Sequence, residues 1–209
     1  MIISVAHQKG GVGKTTLTLS LQAVLNPDII IDQDLHQSLI ILNQLRDDAL
    51  PIHHCETRDQ LIDLLKQSDM GKTILIDCGG FDSDINRLAV AASDLVIVPA
   101  NDDVTELIGL HHFNQVLTEL SAEMGQHITA NVLFNRVHPN RKKFADVDAF
   151  LANADHMTRF DAIIPMRKEY KLATAKGMGV TECKTTKYSD AAREINRLGE
   201  EIKQRVLLK

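Results

Sequence analysis

The 209-residue chain has no apolar run approaching the roughly 20 residues that a membrane-spanning helix needs. Its N-terminus, MIISVAHQKG, lacks the charged-then-apolar order of a secretory signal, so a cytoplasmic location is expected. Cysteine is scarce, and Cys55, Cys78 and Cys183 stand far apart with no pair at metal-ligand or redox spacing, which leaves reduced thiols as the expectation. Internal repeats, low-complexity tracts and linker-like stretches are also missing. The length is too short for two domains of typical size, so a single domain over residues 1–209 is expected. Basic charge is in short supply too. The formal net charge is −5, which at face value argues against a nucleic-acid partner. Its distribution weakens that argument. Residues 1–135 carry 7 Lys+Arg against 18 Asp+Glu, whereas residues 136–209 carry 16 against 10, so the two parts have opposite sign.

Hydrophobic residues make up 44% and charged residues 24%, as in ordinary globular proteins. Short, β-branched apolar runs recur at 2–6, 29–31, 73–76, 95–98, 130–134 and 162–164, and suit strands buried on both faces of a parallel sheet. Helical stripes lie between them: Leu17, Leu21 and Leu25; Leu61, Leu64 and Leu65; Leu107, Leu110, Phe113 and Leu117. This alternation predicts an α/β fold with a doubly wound, mainly parallel sheet and helices on both faces. A last helix over about 189–207 places Ala191, Ile195, Leu198, Ile202 and Val206 on one stripe, expected to pack on the sheet.

The most informative segment is HQKGGVGKTTL, between the first strand and the first helix. Gly10, Gly11 and Gly13 let the backbone curl until successive N–H groups point inward at phosphate oxygens, and the helix N-terminus adds partial positive charge. Lys14 is placed to reach the β- and γ-phosphates, and Thr15 to offer its hydroxyl to Mg²⁺. The expected nucleotide cradle is Gly10, Gly11, Val12, Gly13, Lys14, Thr15 and Thr16. The common form of this loop has glycine six positions before the lysine. Here that position is Gln8, and a second lysine, Lys9, precedes Gly10-Gly11.

The KGGVGKTT stretch resembles the deviant Walker A loop of the ParA/MinD ATPases, and most closely the small ParA-type, ParF-like, DNA-partitioning members. The resemblance implies a P-loop ATPase, with ATP and Mg²⁺ as ligands and a homodimer formed with ATP. In that family the extra lysine crosses the dimer interface to the partner's nucleotide. Carried onto this chain, Lys9 joins Lys14 as a catalytic residue and makes ATP binding and dimerisation one event.

Further along, IIIDQDLHQS puts Asp32 and Asp34 at the carboxyl end of the second strand, where α/β ligand sites lie. By resemblance Asp34 positions the attacking water and Asp32 supports the Mg²⁺ shell. Leu35 and His36 replace the family's Pro and Gln. TILIDCGG resembles a Walker B strand, with Asp77 holding Mg²⁺ and Gly79-Gly80 admitting the switch segment that follows. FNRVHP places Asn135 where related ATPases meet adenine, and IIPMRKEY places Pro165 in the Ile-Pro-x-Arg stretch. Cys78 reads as a small buried residue. Because such a site relies on positioning and charge, slow hydrolysis stimulated by a partner is expected.

Basic residues gather late in the chain. Arg167, Lys168, Lys171, Arg193 and Arg197 are candidate contacts for non-specific double-stranded DNA once a dimer aligns two copies. The resemblance implies a ParB-like centromere-binding partner and a nucleoid-associated location, with no stable membrane association. Two other roles fit the same loop. One is a MinD-like membrane-positioning ATPase, whose determinants would lie in Arg205–Lys209, with Val206, Leu207 and Leu208 the apolar hint. The other is a ParA-like ATPase that positions a cargo other than a plasmid.

Overall fold

In the computed structural model, which describes residues 1–80 and 83–207, the apolar runs become strands of one sheet. They are β1 (Ile2–Val5), β2 (Ile29–Gln33), β3 (Ile52–His53), β4 (Ile74–Cys78), β5 (Leu95–Ala100), β6 (Ala130–Val137) and β7 (Met157–Pro165). Their spatial order is β3-β2-β4-β1-β5-β6-β7, with every ladder parallel. The short edge strand β3 escapes a reading by apolar runs because it has one apolar residue, half-buried Ile52, beside exposed His53.

The helices are α1 (Lys14–Leu25), α2 (Ser38–Asn43), α3 (Arg58–Leu65), α4 (Asp84–Ala91), α5 (Val104–Met124), α6 (Ala145–Leu151), α7 (Lys168–Thr174) and α8 (Asp190–Leu207). Alternate side chains of each strand feed opposite layers. Ile2, Ile31, Ile74, Ile76, Val96 and Val98 meet Leu61 of α3, Val90 of α4 and Leu110, Phe113 and Leu117 of α5. Ile3, Val5, Leu75, Leu95 and Ile97 meet Leu17 and Leu21 of α1 and Ile195, Leu198 and Ile202 of α8. The sheet is thus covered on both faces, as an all-parallel sheet requires.

The α8 stripe packs as expected, and polar contacts fasten the helix to the sheet edge. Glu201 accepts the Asp161 and Ala162 N–H groups of β7 at 2.9 and 2.8 Å, covering an otherwise open edge. Arg205 donates to Asn131 Oδ1 at 2.9 Å and to the Arg159 carbonyl at 2.7 Å, with its guanidinium 4.6 Å from the Phe160 ring centre.

Because β1 has β4 on one side and β5 on the other, chain order reverses around it. Ligand sites of such sheets lie outside the carboxyl ends of the strands at that reversal. The segment that leaves β1 there is the glycine-rich loop.

Candidate active site

Val5 of β1 and Asp32 of β2 are both register partners of Asp77 on β4, so three strand ends deliver the loop, Asp32 and Asp77 to one place. The loop runs into α1 through Gly13, whose φ of +93° is in the left-handed region. A Cβ at Gly13 would also lie 2.8 Å from Asn135 Nδ2, so glycine is required there twice over. Gly79 has a comparable role past β4. A Cβ on it would lie 2.9 Å from the Gln33 carbonyl and 3.0 Å from Asp34 Cα, and its absence lets the two acidic strand ends approach.

Asp77 is fully buried, and among the described residues neither of its oxygens has a partner of hydrogen-bond geometry. Burial pushes its carboxyl up to about 7. The nearby Thr15 hydroxyl pulls it down without forming a full hydrogen bond, Asp32 and Asp34 push it further up, and Lys14 opposes them. Asp77, Thr15, Lys14, Asp32 and Asp34 therefore share one electrostatic neighbourhood. An orphaned buried carboxylate beside a threonine hydroxyl is a donor set that fits a hard divalent cation. Lys14 is buried with its Nζ 3.3 Å from the Lys9 carbonyl, at the inner side of the loop where a phosphate chain would sit.

Asp32 is tied into the backbone of the following turn. Its Oδ1 accepts the Asp34 N–H at 3.0 Å, and its Oδ2 accepts the Leu39 and Ile40 N–H groups at 2.9 and 3.0 Å. Burial raises its pKa and the three backbone donors work against that rise. Asp32 thus holds the turn that carries Asp34 and caps α2. Asp34 is half-buried and accepts the His36 N–H at 2.9 Å. Leu35 is 88% exposed beside it. Asp32→Ala is expected to lower the free energy of unfolding by roughly 2–4 kcal/mol, since buried N–H groups lose their acceptor, and Asp32→Asn by less. Urea unfolding of the two variants checks this.

Beside the loop, a cavity of about 450 Å³ opens between Gly13, Thr16, Asn135, Pro165, Arg167 and Tyr170. Asn135 and Pro165 both line it, but the Asn135 side chain also braces the loop, donating to the Val12 carbonyl at 2.8 Å. Arg136, with φ +60°, donates to the Gly11 carbonyl. By resemblance the sequence assigns Asn135 to a base; in the structure the Asn135 and Arg136 side chains both brace the glycine-rich loop.

Lys9 points away from the loop. Its Nζ is ion-paired with Glu106 of α5 and donates to Thr105 Oγ1 at 2.9 Å. Glu106 is 1% exposed, and buried His7 lies behind both residues. Reading the sequence does not find Glu106 and His7. The available signal is spacing: Glu106, Leu110, Phe113 and Leu117 form one helical stripe, and a carboxylate on a buried stripe needs a cation.

No protein-family model matches the sequence, and no curated protein matches it. Solved structures do. The apo McdA structure from Cyanothece superposes with a TM-score of 0.70 at 17% identity, covering 96% of this chain and 98% of that one. MinD of Pyrococcus horikoshii, complexed with Mg-ADP, gives 0.67 at 21% identity, with coverages of 96% and 95%. A ParA family ATPase from Chlorobium tepidum gives 0.63 at 14% identity, with coverages of 95% and 97%. The fold is the one these McdA, MinD and ParA-family structures share.

On this fold, the basic residues of the C-terminal part divide into two groups. Arg167 is bidentate to Glu194, from 2.7 Å, with Asp190 at 3.7 Å, and these partners raise its pKa. Arg193 is paired with Asp190. Intramolecular carboxylates therefore already neutralise two of the five candidate phosphate contacts. Lys168, Lys171 and Arg197 are exposed. Arg205 is committed to β6, β7 and Glu201, and so belongs to the sheet packing, not to a free basic tail. Leu208 and Lys209 lie outside the described residues, as does the start of the switch segment after Gly80. Among the described residues no helix is long and apolar enough to cross a membrane.

Proposed function

We propose that this chain is an ATPase that works as a nucleotide-controlled dimer in DNA partitioning. The observation that carries the reading is the division of labour between two lysines. Lys14 is buried inside the phosphate loop, while Lys9 stands outside it on a partly exposed stem with its charge on Glu106. A second loop lysine that does not serve its own loop is available to a second subunit. ATP in the closing interface would then meet one cation from each chain.

In this reading, the loop N–H groups from Gly10 to Thr16 and Lys14 bind the phosphates, and the cavity by Asn135 and Pro165 takes the base. Thr15 and Asp77 would hold Mg²⁺, which when bound would supply positive charge against the phosphates. Asp32 contributes charge to the metal's surroundings through its place behind Asp34, and Asp34 orients the attacking water. Loss of the γ-phosphate removes the contact that favours the dimer, so hydrolysis resets it.

DNA is held without sequence preference by the ATP dimer through Lys168, Lys171 and Arg197 from each subunit. Arg167 and Arg193 contribute less because their charges are partnered. A ParB-like centromere-binding protein stimulates hydrolysis and releases the dimer from the nucleoid. Molecular mass in solution with ATP, ADP and no nucleotide, on an Asp34→Ala variant that prevents turnover, tests the dimer. The expected result is a dimer with ATP only. Salt-sensitive retention of random duplex DNA by that dimer tests the partner. A single mass in all three states, or no retention at low salt, overturns the respective part.

A further inference from the structure

The ion pair that parks Lys9 is part of a larger buried arrangement. His7, at the end of β1, has no solvent exposure. Its Nδ1 accepts the Lys9 N–H at 2.8 Å, which leaves the ring proton of the neutral imidazole on Nε2. Nε2 faces Glu106 Oε2 across 3.9 Å, and neither atom has a hydrogen-bond partner among the described residues. The other Glu106 oxygen holds the Lys9 ammonium. Lys9 therefore does two things at once: its backbone blocks the basic nitrogen of His7, and its side chain supplies the cation of Glu106.

On the proposed reading, Lys9 leaves this position to meet the partner's nucleotide. Departure would strand a 1% exposed carboxylate without a cation, at a desolvation cost that a buried site cannot sustain. Where the loop backbone shifts with the side chain, the Lys9 N–H leaves His7 Nδ1 as well. The charged groups facing His7 are Lys9 and Lys14 from the loop and the first turn of α1, and Glu106 from α5, where Gly109 and the stacked Phe113 ring complete its walls. Burial and the two lysines hold His7 down at about 4 in the resting chain, so it is neutral near pH 7. Both lysine charges change in the ATP dimer: Lys9 moves away, and phosphate oxygens neutralise Lys14. Each change favours imidazolium.

We propose that His7 and Glu106 are positioning residues for Lys9 that exchange its charge for a proton. As the ammonium leaves Glu106, His7 takes a proton from solvent at Nδ1, and its Nε2–H closes on Glu106 Oε2. The imidazolium–carboxylate pair replaces the ammonium–carboxylate pair, the buried charge balance is kept, and the proton returns to solvent when Lys9 comes back. ATP-dependent dimerisation is then linked to uptake of one proton per subunit. This rests on the dimer reading above and adds a proton to it.

The test is calorimetric titration of ATP into the Asp34→Ala protein in buffers of different ionisation enthalpy, with dimer dissociation constants measured from pH 6 to 8.5. Relative to His7→Asn and Glu106→Gln in the same background, the protein with both residues intact is expected to take up about one extra proton per subunit. Relative to the two variants, its dimer constant is expected to weaken with rising pH by roughly tenfold per pH unit for each proton. The variants share the proton chemistry of ATP itself, so the difference isolates the pair. Should His7→Asn fail to fold, Glu106→Gln, which keeps the shape and one acceptor for Lys9, carries the comparison. Equal proton uptake in the intact pair and either folded variant overturns the exchange alone. A protein that stays monomeric with ATP overturns the dimer reading and the exchange with it.

Discussion

Lys9→Ala is expected to abolish ATP-dependent dimerisation while the monomer still binds nucleotide. Light scattering would show one mass with ATP, with ADP and without nucleotide, where on the proposed reading the unaltered lysine is expected to give a dimer with ATP. The expectation follows from where Lys9 lies. Its ammonium is on Glu106 and Thr105, away from the inner side of the loop that Lys14 occupies, so its removal costs the chain's own phosphate site little. In the dimer each subunit loses one charge-assisted contact to phosphate, at roughly 1.5–3 kcal/mol apiece, or about 3–6 kcal/mol for the pair. That amounts to a weakening of roughly a hundred- to ten-thousandfold. Alanine also leaves Glu106 buried without its cation, which by itself would destabilise the monomer. The double variant Lys9→Ala with Glu106→Gln removes that complication: it restores monomer stability in urea and leaves dimerisation lost. Persistence of the ATP dimer in either form would contradict the role given to Lys9.

The parts of this site that are legible in the sequence are those where backbone geometry forces the residue type. Gly13 must adopt a left-handed φ against Asn135, Thr15 must lie in the first turn of the helix that follows the loop, and Asp77 must stand near the end of an apolar strand. Each leaves a local mark. The strands read clearly for the same reason, since burial on both faces writes a continuous apolar run. What stays hidden is set by tertiary approach. Lys9 and Glu106 are 97 residues apart, and no local pattern says that α5 lays a buried acid against the loop. Asp32 is assigned to the metal's surroundings by resemblance, and its acceptance of three backbone N–H groups of the turn that follows leaves no local mark in the sequence. The basic C-terminal part misleads in the opposite way. Charge counts register Arg167, Arg193 and Arg205 as free cations. Asp190 and Glu201 sit one helical turn from Arg193 and Arg205 and pair with them, and Glu194 reaches Arg167 from α8.

Asp77→Asn is expected to act in opposite directions on stability and on turnover. In the unfolded chain its carboxyl titrates near 4, and in the folded chain burial pushes it up to about 7. The folded state therefore binds the extra proton between those values. The advantage of the protonated form is complete below about 4 and is lost as pH rises to about 7, a change of roughly 4 kcal/mol by linkage. At pH 8 without nucleotide, the protein keeps a buried anion that no described residue donates to. Asparagine fills the same space without that charge, so the variant is expected to be more stable than the parent in urea at pH 8 and to lose that advantage near pH 4. Turnover moves the other way. A neutral amide in this position lacks the charge that would hold a divalent cation beside Thr15, so on the proposed reading Mg²⁺-dependent ATP hydrolysis by the variant is expected to fall by about a hundredfold or more. The stabilisation that Mg²⁺ and ATP together give the parent in a thermal melt should shrink in step. Equal gains from Mg²⁺ in parent and variant would place the cation elsewhere. The buried, unpaired carboxylate is thus a cost to the empty fold at neutral pH and above, and a bound metal ion is what would offset it.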